Sequence, residues 1–329
     1  MKSDPERFVT LHPFSPSTLQ PSSRRAVIDI GTNSVKLLVA DVSQGAVEPV
    51  WEGSEQTRLG CGFYDDHRLR PEAIASTAMA VAHFVQIARE QGAAHLRIIA
   101  TSAARDAVNA GELLSAVRAA AGQAVEVISG EQEADWAFQG VLTDSSLRER
   151  PVLILDVGGG STEFILGDAG HSSFRDSFKL GTVRLLESTR LSDPPTPAEL
   201  VDIRKKLRDF LDREVRPQLA PHLQSIRRED LALVGTGGTT SILARLELQL
   251  PDYDRARIET AHFDASRLRW HVEHLWGLPL CERRKLAGMP PNRADVILFG
   301  VVIYEAVMGA FGIANLRVST RGLRFAAVR

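Results

Sequence analysis

The sequence predicts an α/β protein of two related units with a cleft between them. Three observations carry this expectation. Residues 26–36 read AVIDIGTNSVK and residues 152–163 read VLILDVGGGSTE, so one device occurs twice. In each copy a β-branched apolar run ends in an Asp and passes at once into Gly and small hydroxyl residues. Each copy also opens a run of three strand patterns, with helical patterns after it. Finally, 329 residues with 44% apolar side chains are long for one core and sufficient for two.

The elements follow in order. Residues 1–23 are rich in Pro, Ser and Thr without periodicity and read as a flexible N-terminal arm. The first unit spans 24–143, with strands expected at 26–30, 35–42 and 47–51. A helix runs from Pro71 to about Glu90: Pro71 suits a first helical position, and Ile74, Ala78, Val81, Val85 and Ala88 recur at helical spacing. A buried strand at 96–100, a helix over 111–120 capped by Asn109, a strand at 126–128 and a helix over 131–142 complete it. The charged, turn-like stretch 144–151 separates the halves. In the second unit, 144–311, strands at 152–157, 161–166 and 173–178 repeat the opening. A long helix from Pro197 to about Val215 is capped by Thr196 and striped by Leu200, Ile203, Leu207, Leu211 and Val215. Helices over 238–246, 265–275 and 294–311 precede a last strand at 315–319.

Charge and cysteine content exclude several roles. Lys plus Arg (39) nearly balances Asp plus Glu (41), a net charge of −2, so neither a nucleic-acid coat nor a membrane-surface role has support. Cys61 and Cys281 are the only cysteines, too few for a disulfide framework or a four-cysteine zinc site. With no apolar leader and no membrane-length stretch, the expected location is the cytoplasm.

The repeated device suits phosphate chemistry. Backbone N–H groups of a small-residue turn can cradle phosphate oxygens, and the Asp before it can hold a hydrated cation. The turns are Gly31, Thr32, Asn33 and Ser34 in the first copy, and Gly158, Gly159, Gly160 and Ser161 in the second. A third turn, Gly237, Gly238 and Thr239, follows the apolar run 231–234. None fits a commoner nucleotide motif: Glu163 stands where a dinucleotide fingerprint needs its third Gly, and residues 31–36 lack the P-loop ending. Asp156, Glu163 and Asp29 are the metal candidates. The competing reading of each is a carboxylate that bonds its own glycine turn. Lys36 points into the site only if strand alternation favours it. His271 and His274 (HVEH) can share a helix face but offer no third zinc ligand. No Gly-x-Ser-x-Gly elbow occurs.

Taken together, the motifs resemble the exopolyphosphatase/guanosine pentaphosphate phosphatase family, within the superfamily of actin, hexokinase and the heat-shock ATPases. The pieces are AVIDIGTNSVKLLVADV (26–42), TRLG (57–60), ATSAARDA (100–107), ISGEQEA (128–134), LILDVGGGSTEFILG (153–167), VGTGGTT (234–240) and the segment near 318–324. The resemblance implies two ribonuclease-H-like (actin-like ATPase) domains with an interdomain cleft, residues 312–329 packing back on the first. It implies hydrolysis of a terminal phosphoanhydride dependent on Mg²⁺, with Mn²⁺ as the alternative, and a homodimer. Glu133 matches the catalytic glutamate and Arg105 the phosphate-binding arginine, with Lys36 and Arg58 as secondary ligands. The local alternative for Glu131 and Glu133 is a favourable charge at a helix N-terminus. Two departures stand out. The helical extension of longer relatives is missing after Arg329, which puts preference for very long chains in doubt. Ser319-Thr-Arg-Gly322 replaces the usual Ser-Asp-Gly, placing a base near the cleft where it is expected to alter substrate choice.

The leading expectation is therefore an exopolyphosphatase in which Glu133 activates water to attack the end of inorganic polyphosphate. The alternative substrate is guanosine pentaphosphate, with the tetraphosphate as a related ligand. A superfamily kinase and a non-catalytic polyphosphate or alarmone sensor rank behind these.

Overall fold

A computed structural model describes residues 23–329 except 45, 64, 65, 148 and 169. The arm read over 1–23 lies outside the described residues, apart from Ser23, which opens the first strand. In the first lobe β1 (Ser23–Ile30), β2 (Ser34–Ser43) and β3 (Ala46–Gln56) form an antiparallel meander. Helix α1 (Pro71–Glu90) returns the chain to β4 (His95–Ala100), which pairs in parallel with β1. Then come α2 (Ser102–Asp106), α3 (Ala110–Ala121), β5 (Glu126–Val127) and α4 (Gly130–Val141). The sheet order is β3-β2-β1-β4-β5.

The second lobe repeats this plan. Strands β6 (Val152–Val157), β7 (Thr162–Asp168) and β8 (His171–Phe178) form the meander. Helices α5 (Thr182–Ser188), α6 (Pro197–Phe210) and α7 (Arg216–Leu223) lead to β9 (Ala232–Thr236), parallel to β6. The chain closes through α8 (Gly238–Leu248), α9 (Arg255–Ile258), β10 (His262–Asp264), α10 (Ala265–Trp276), α11 (Leu280–Arg283), α12 (Ile297–Phe311), β11 (Asn315–Val318) and α13 (Leu323–Ala327). Its sheet order is β10-β11-β9-β6-β7-β8. Among the described residues, no helix is long and apolar enough to cross a membrane.

Strand alternation sorts the side chains between an outer core in each lobe and one shared inner core. On β1, Ala26, Ile28 and Ile30 join the outer core with α1, whereas Val27 joins the inner one. On β2, Leu38 and Ala40 face inward; on β6, Val152 and Ile154; on β7, Ile165. Successive residues point to opposite faces, so Asp29, Lys36, Asp156 and Glu163 all fall on the inward faces. Helices α4 and α13 fill the space between the sheets through Ala134, Ala137, Phe138, Val141, Leu323 and Phe325. Within segment 312–329, β11 joins the second sheet while α13 packs on α4 and β1.

Two expectations are corrected. Asn109 stands at the N-cap of α3 but makes no capping bond. Its amide instead accepts from the Leu69 N–H at 2.8 Å and donates to the Leu69 carbonyl at 3.0 Å, holding the chain ahead of α1. The long second-lobe helix does not end at Val215. It widens to a π turn over Leu211–Val215 and continues as α7, with Pro217, which has no N–H to donate, just after the widened turn. Thr196 does cap α6, in a reciprocal box with Glu199.

Candidate active site

Both Asp-led turns open into one chamber of about 750 Å³ between the lobes. The register is the same on each side: Asp29 lies opposite Lys36 and Asp156 opposite Glu163. Gly31 N–H donates to the Ser34 carbonyl at 3.0 Å, and Gly158 N–H to the Ser161 carbonyl at 2.9 Å. The duplicated device thus carries opposite charges at one equivalent place, a lysine in one lobe and a glutamate in the other. That difference makes the chamber lopsided in charge.

The second loop shows how the backbone is aimed. The Gly158 carbonyl accepts from Thr182 N–H, the Gly159 carbonyl from Val183 and Arg184 N–H, and the Gly160 carbonyl from Arg184 Nε. In a trans peptide the N–H points opposite to the C=O. The amides of Gly159, Gly160 and Ser161 therefore turn away from α5 and toward the chamber they line. In the first loop, Thr57 and Arg58 N–H hold the Asn33 carbonyl and Gly60 N–H holds that of Thr32, with the same consequence for Asn33 and Ser34. Asn33 is fixed by Gln56 at 3.1 Å, and its buried Nδ2 has no partner.

Glu133 sits in the first turns of α4, after the short β5; Ser129 caps that helix by accepting from Gln132 N–H. Arg105, at the end of α2, donates to Glu133 Oε2 at 3.1 Å and to the Ile128 carbonyl at 3.0 Å. Burial, then the nearby Glu163, pushes the Glu133 carboxyl well above the usual range, against the pull of Arg105. Glu163 Oε1 accepts from Ser161 and Ser177 hydroxyls, both at 2.7 Å. Burial, then Asp156, raises its pKa to about 7. Asp29 and Asp156 are likewise raised by burial, and Lys36 is lowered by burial while both acids hold its charge.

The walls of the chamber differ: Lys36 and Arg293 line the side on which a further chamber opens, whereas Arg105, the partner of Glu133, lines a recess with Ser102, Ser161 and Ser177. Past Lys36 the chamber opens into a wider one of about 1240 Å³.

The other candidates divide. Gly31, Thr32, Asn33, Ser34, Gly158, Gly159, Gly160, Ser161, Gly238 and Thr239 line the first chamber, and Gly237 lines the second. Arg58 lines neither: it pairs with Asp295 at 2.8 Å and donates to the Asn292 carbonyl, tying the first lobe to the turn before α12. The expected influence of Arg321 on the cleft is corrected too. Its guanidinium leads away to Thr143 Oγ1 at 3.1 Å and lies near Glu259 and the Phe325 ring. His271 bonds Glu247 at 2.6 Å, and His274 stacks on Trp270.

Arg293 was not anticipated. It lines both chambers, and burial lowers its pKa to about 10, which leaves it charged at neutral pH. Its one signal was a cation in the polar turn PPNRAD just before the most apolar helix. Arg324 lines the second chamber and donates to the Leu37 carbonyl at 3.0 Å.

The residues suit a divalent cation. Asp29 Oδ1 is buried without a hydrogen-bond partner, and its charge is costly there without one. No group of three His, Cys, Asp or Glu among the described residues is gathered for a metal. One or two carboxylates with water completing the shell is the habit of Mg²⁺.

A family model for the Ppx/GppA phosphatase family matches residues 38–326. Exopolyphosphatase 2 of Mycobacterium tuberculosis is 36% identical over 296 residues, spanning 86% of this chain and 89% of that protein. Exopolyphosphatase 1 of the same organism is 30% identical over 302 residues, 92% of this chain and 86% of that one. Among solved structures, the Aquifex aeolicus PPX-GPPA enzyme superposes with a TM-score of 0.75 at 30% identity, covering 93% of this chain and 99% of the other. An exopolyphosphatase from Cytophaga hutchinsonii gives 0.81 at 27% identity, covering 92% and 96%.

Proposed function

Since this chain belongs to the Ppx/GppA phosphatase family and is a hydrolase of phosphoanhydride bonds, we propose that it releases the terminal phosphate of inorganic polyphosphate with a glutamate-activated water. One observation carries this reading. The buried Glu133, held by the part-buried Arg105, faces the chamber lined by the two glycine turns, and Lys36 stands where that chamber meets the wider one.

An in-line displacement needs its nucleophile and leaving group on opposite sides of phosphorus. Water held by Glu133 meets that need at one end. Glu133 takes a proton as the water oxygen bonds to the terminal phosphorus, and the bridging P–O bond on the far side breaks. The shortened chain leaves as an oxyanion toward Lys36 and Arg293. Orthophosphate is the second product, and the proton passes from Glu133 to solvent. The raised pKa of Glu133 suits a general base working near neutrality. The amides of both glycine turns stabilise the equatorial oxygens. Asp29 and Asp156, with Glu163 behind them, would hold Mg²⁺ (or Mn²⁺), which when bound adds positive charge at the phosphoryl oxygens.

The second reading is cleavage of the 5′-γ-phosphate of guanosine pentaphosphate. It rests on Tyr253, 47% exposed on the wall of the wider chamber, where a base can stack. Phosphate release from polyphosphates of graded length and from guanosine pentaphosphate, with and without Mg²⁺, separates the two. Glu133→Gln should lower the rate by roughly 10²–10⁴. Undiminished Mg²⁺-dependent release by that variant would remove Glu133 from the role.

A further inference from the structure

The second glycine turn presents three carbonyls to α5, and they are not held alike. Backbone N–H groups of Thr182, Val183 and Arg184 hold those of Gly158 and Gly159. The Gly160 carbonyl is held by a side chain, Arg184 Nε, at 2.9 Å. That carbonyl shares its peptide with the Ser161 N–H, so the bond also decides which way the Ser161 amide faces. Gly160 is buried, and a glycine tolerates either orientation of the peptide that follows it. Ser161 lines both the chamber and the recess of Arg105, which puts its amide on the side of the Glu133–Arg105 pair. Arg184 itself lines neither chamber nor the recess. Its Nη2 reaches across the cleft to within 4.0 Å of Asp106 Oδ2, on the first-lobe residue that follows Arg105. Helix α5 meets the turn backbone to backbone at Gly181, where a Cβ would stand 2.3 Å from the Gly159 carbonyl oxygen.

We propose that Arg184 is a positioning residue for phosphoryl transfer: by holding the Gly160 carbonyl it aims the Ser161 amide at an oxygen of the attacked phosphoryl group. The proposal rests on hydrolysis in this chamber and holds for either substrate. An amide fixed beforehand stabilises the charge on that oxygen in the transition state without having to reorient. Asp106 steers the far end of the guanidinium from the opposite lobe, so both lobes share in setting one donor. Without the guanidinium, a buried carbonyl is left without its partner. The Gly160–Ser161 peptide then turns to find another donor and takes the amide out of line.

The test is steady-state phosphate release from polyphosphate and from guanosine pentaphosphate in Mg²⁺ by wild type, Arg184→Met and Arg184→Lys, with melting curves for each. Methionine keeps the apolar stem without a donor, and lysine returns a charged donor. Removing an oxyanion donor outright costs roughly 10²–10³ in rate, and here the amide is freed rather than deleted, so Arg184→Met should lower kcat by about 10–100-fold. Its KM should move by less than about threefold, because the contact is made chiefly in the transition state. Arg184→Lys should regain most of the lost kcat whether or not its melting temperature recovers. A kcat in Arg184→Met within about twofold of wild type overturns the proposal, as does a loss confined to KM. An equal loss in Arg184→Lys, or losses that follow melting temperature across the two variants, overturns it too, because packing would then be the cause. A wild type that releases phosphate from neither substrate defeats the functional reading itself, whereas an active wild type indifferent to residue 184 defeats only this proposal.

Discussion

Gly140→Ala sets two effects of opposite sign against each other at a position remote from the chemistry. Gly140 lies in the last turn of α4, the helix that carries Glu133. A Cβ there would stand 2.0 Å from the Gly322 carbonyl oxygen and 2.6 Å from its carbon. Ordinary contact begins at 3.4 Å, so the backbones must part by about 1.4 Å. Gly322 cannot yield freely, because its carbonyl accepts from Phe325 N–H and the carbonyl before it accepts from Thr236. Helix propensity alone would make Ala more stable by up to ~1 kcal/mol. Overpacking against fixed backbone costs ~1–3 kcal/mol and should win. A net loss of ~2 kcal/mol lowers the melting temperature of a chain this size by about 3 °C. Shifting α4 by an ångström also displaces Glu133, with a loss of up to ~10²-fold in phosphate release. Gly309→Ala is the control: this exposed glycine of α12 has nothing within 4 Å of its missing Cβ, so that variant should melt higher. If Gly140→Ala also melts higher and keeps its rate, the close approach of α4 to α13 does not position Glu133.

Three further outcomes can be checked directly. Arg105 holds the pKa of Glu133 down, so Arg105→Gln should raise it further and move the acid limb of the pH–rate profile to higher pH, read from kcat/KM across the range. Asp29 has its folded pKa raised above 3.8, mainly by burial, so its cost to stability is absent below that value and complete above the folded pKa. In chelator at about pH 8, Asp29→Asn should therefore melt above wild type, with the gap closing toward about pH 4, while Mg²⁺ should stabilise wild type more than the variant. Asn109→Ala strands both backbone groups of Leu69 and should cost ~1–3 kcal/mol in denaturant unfolding without changing the pH profile.

The local chemistry was legible because its causes are local. A period of two decides which face of a strand each residue takes. That Asp29 and Asp156 stand at strand ends and pass into small turns facing one cleft was readable before any coordinates. The capping box at Thr196 and the helix from Pro71 were readable for the same reason. Glu133 and Arg105 were named from a motif resemblance; that they meet depends on β4 and β5 running in parallel, which brings residues 28 apart within 3.1 Å. Asn109 misled because a good capping residue serves whichever backbone group needs it more, and the buried Leu69 amide and carbonyl had no other partner.

By itself the sequence determined two similar α/β lobes, the place of Asp29 and Asp156 at strand ends, and the small turns that follow them. Tertiary structure alone decided the pairings across the cleft: Arg58 with Asp295, Glu52 with Arg255, and Arg321 turned to Thr143 instead of the chamber. These contacts join residues some two hundred positions apart, or opposite lobes. No periodicity records how two finished surfaces meet. The charge left over on each wall of the chamber follows from that meeting.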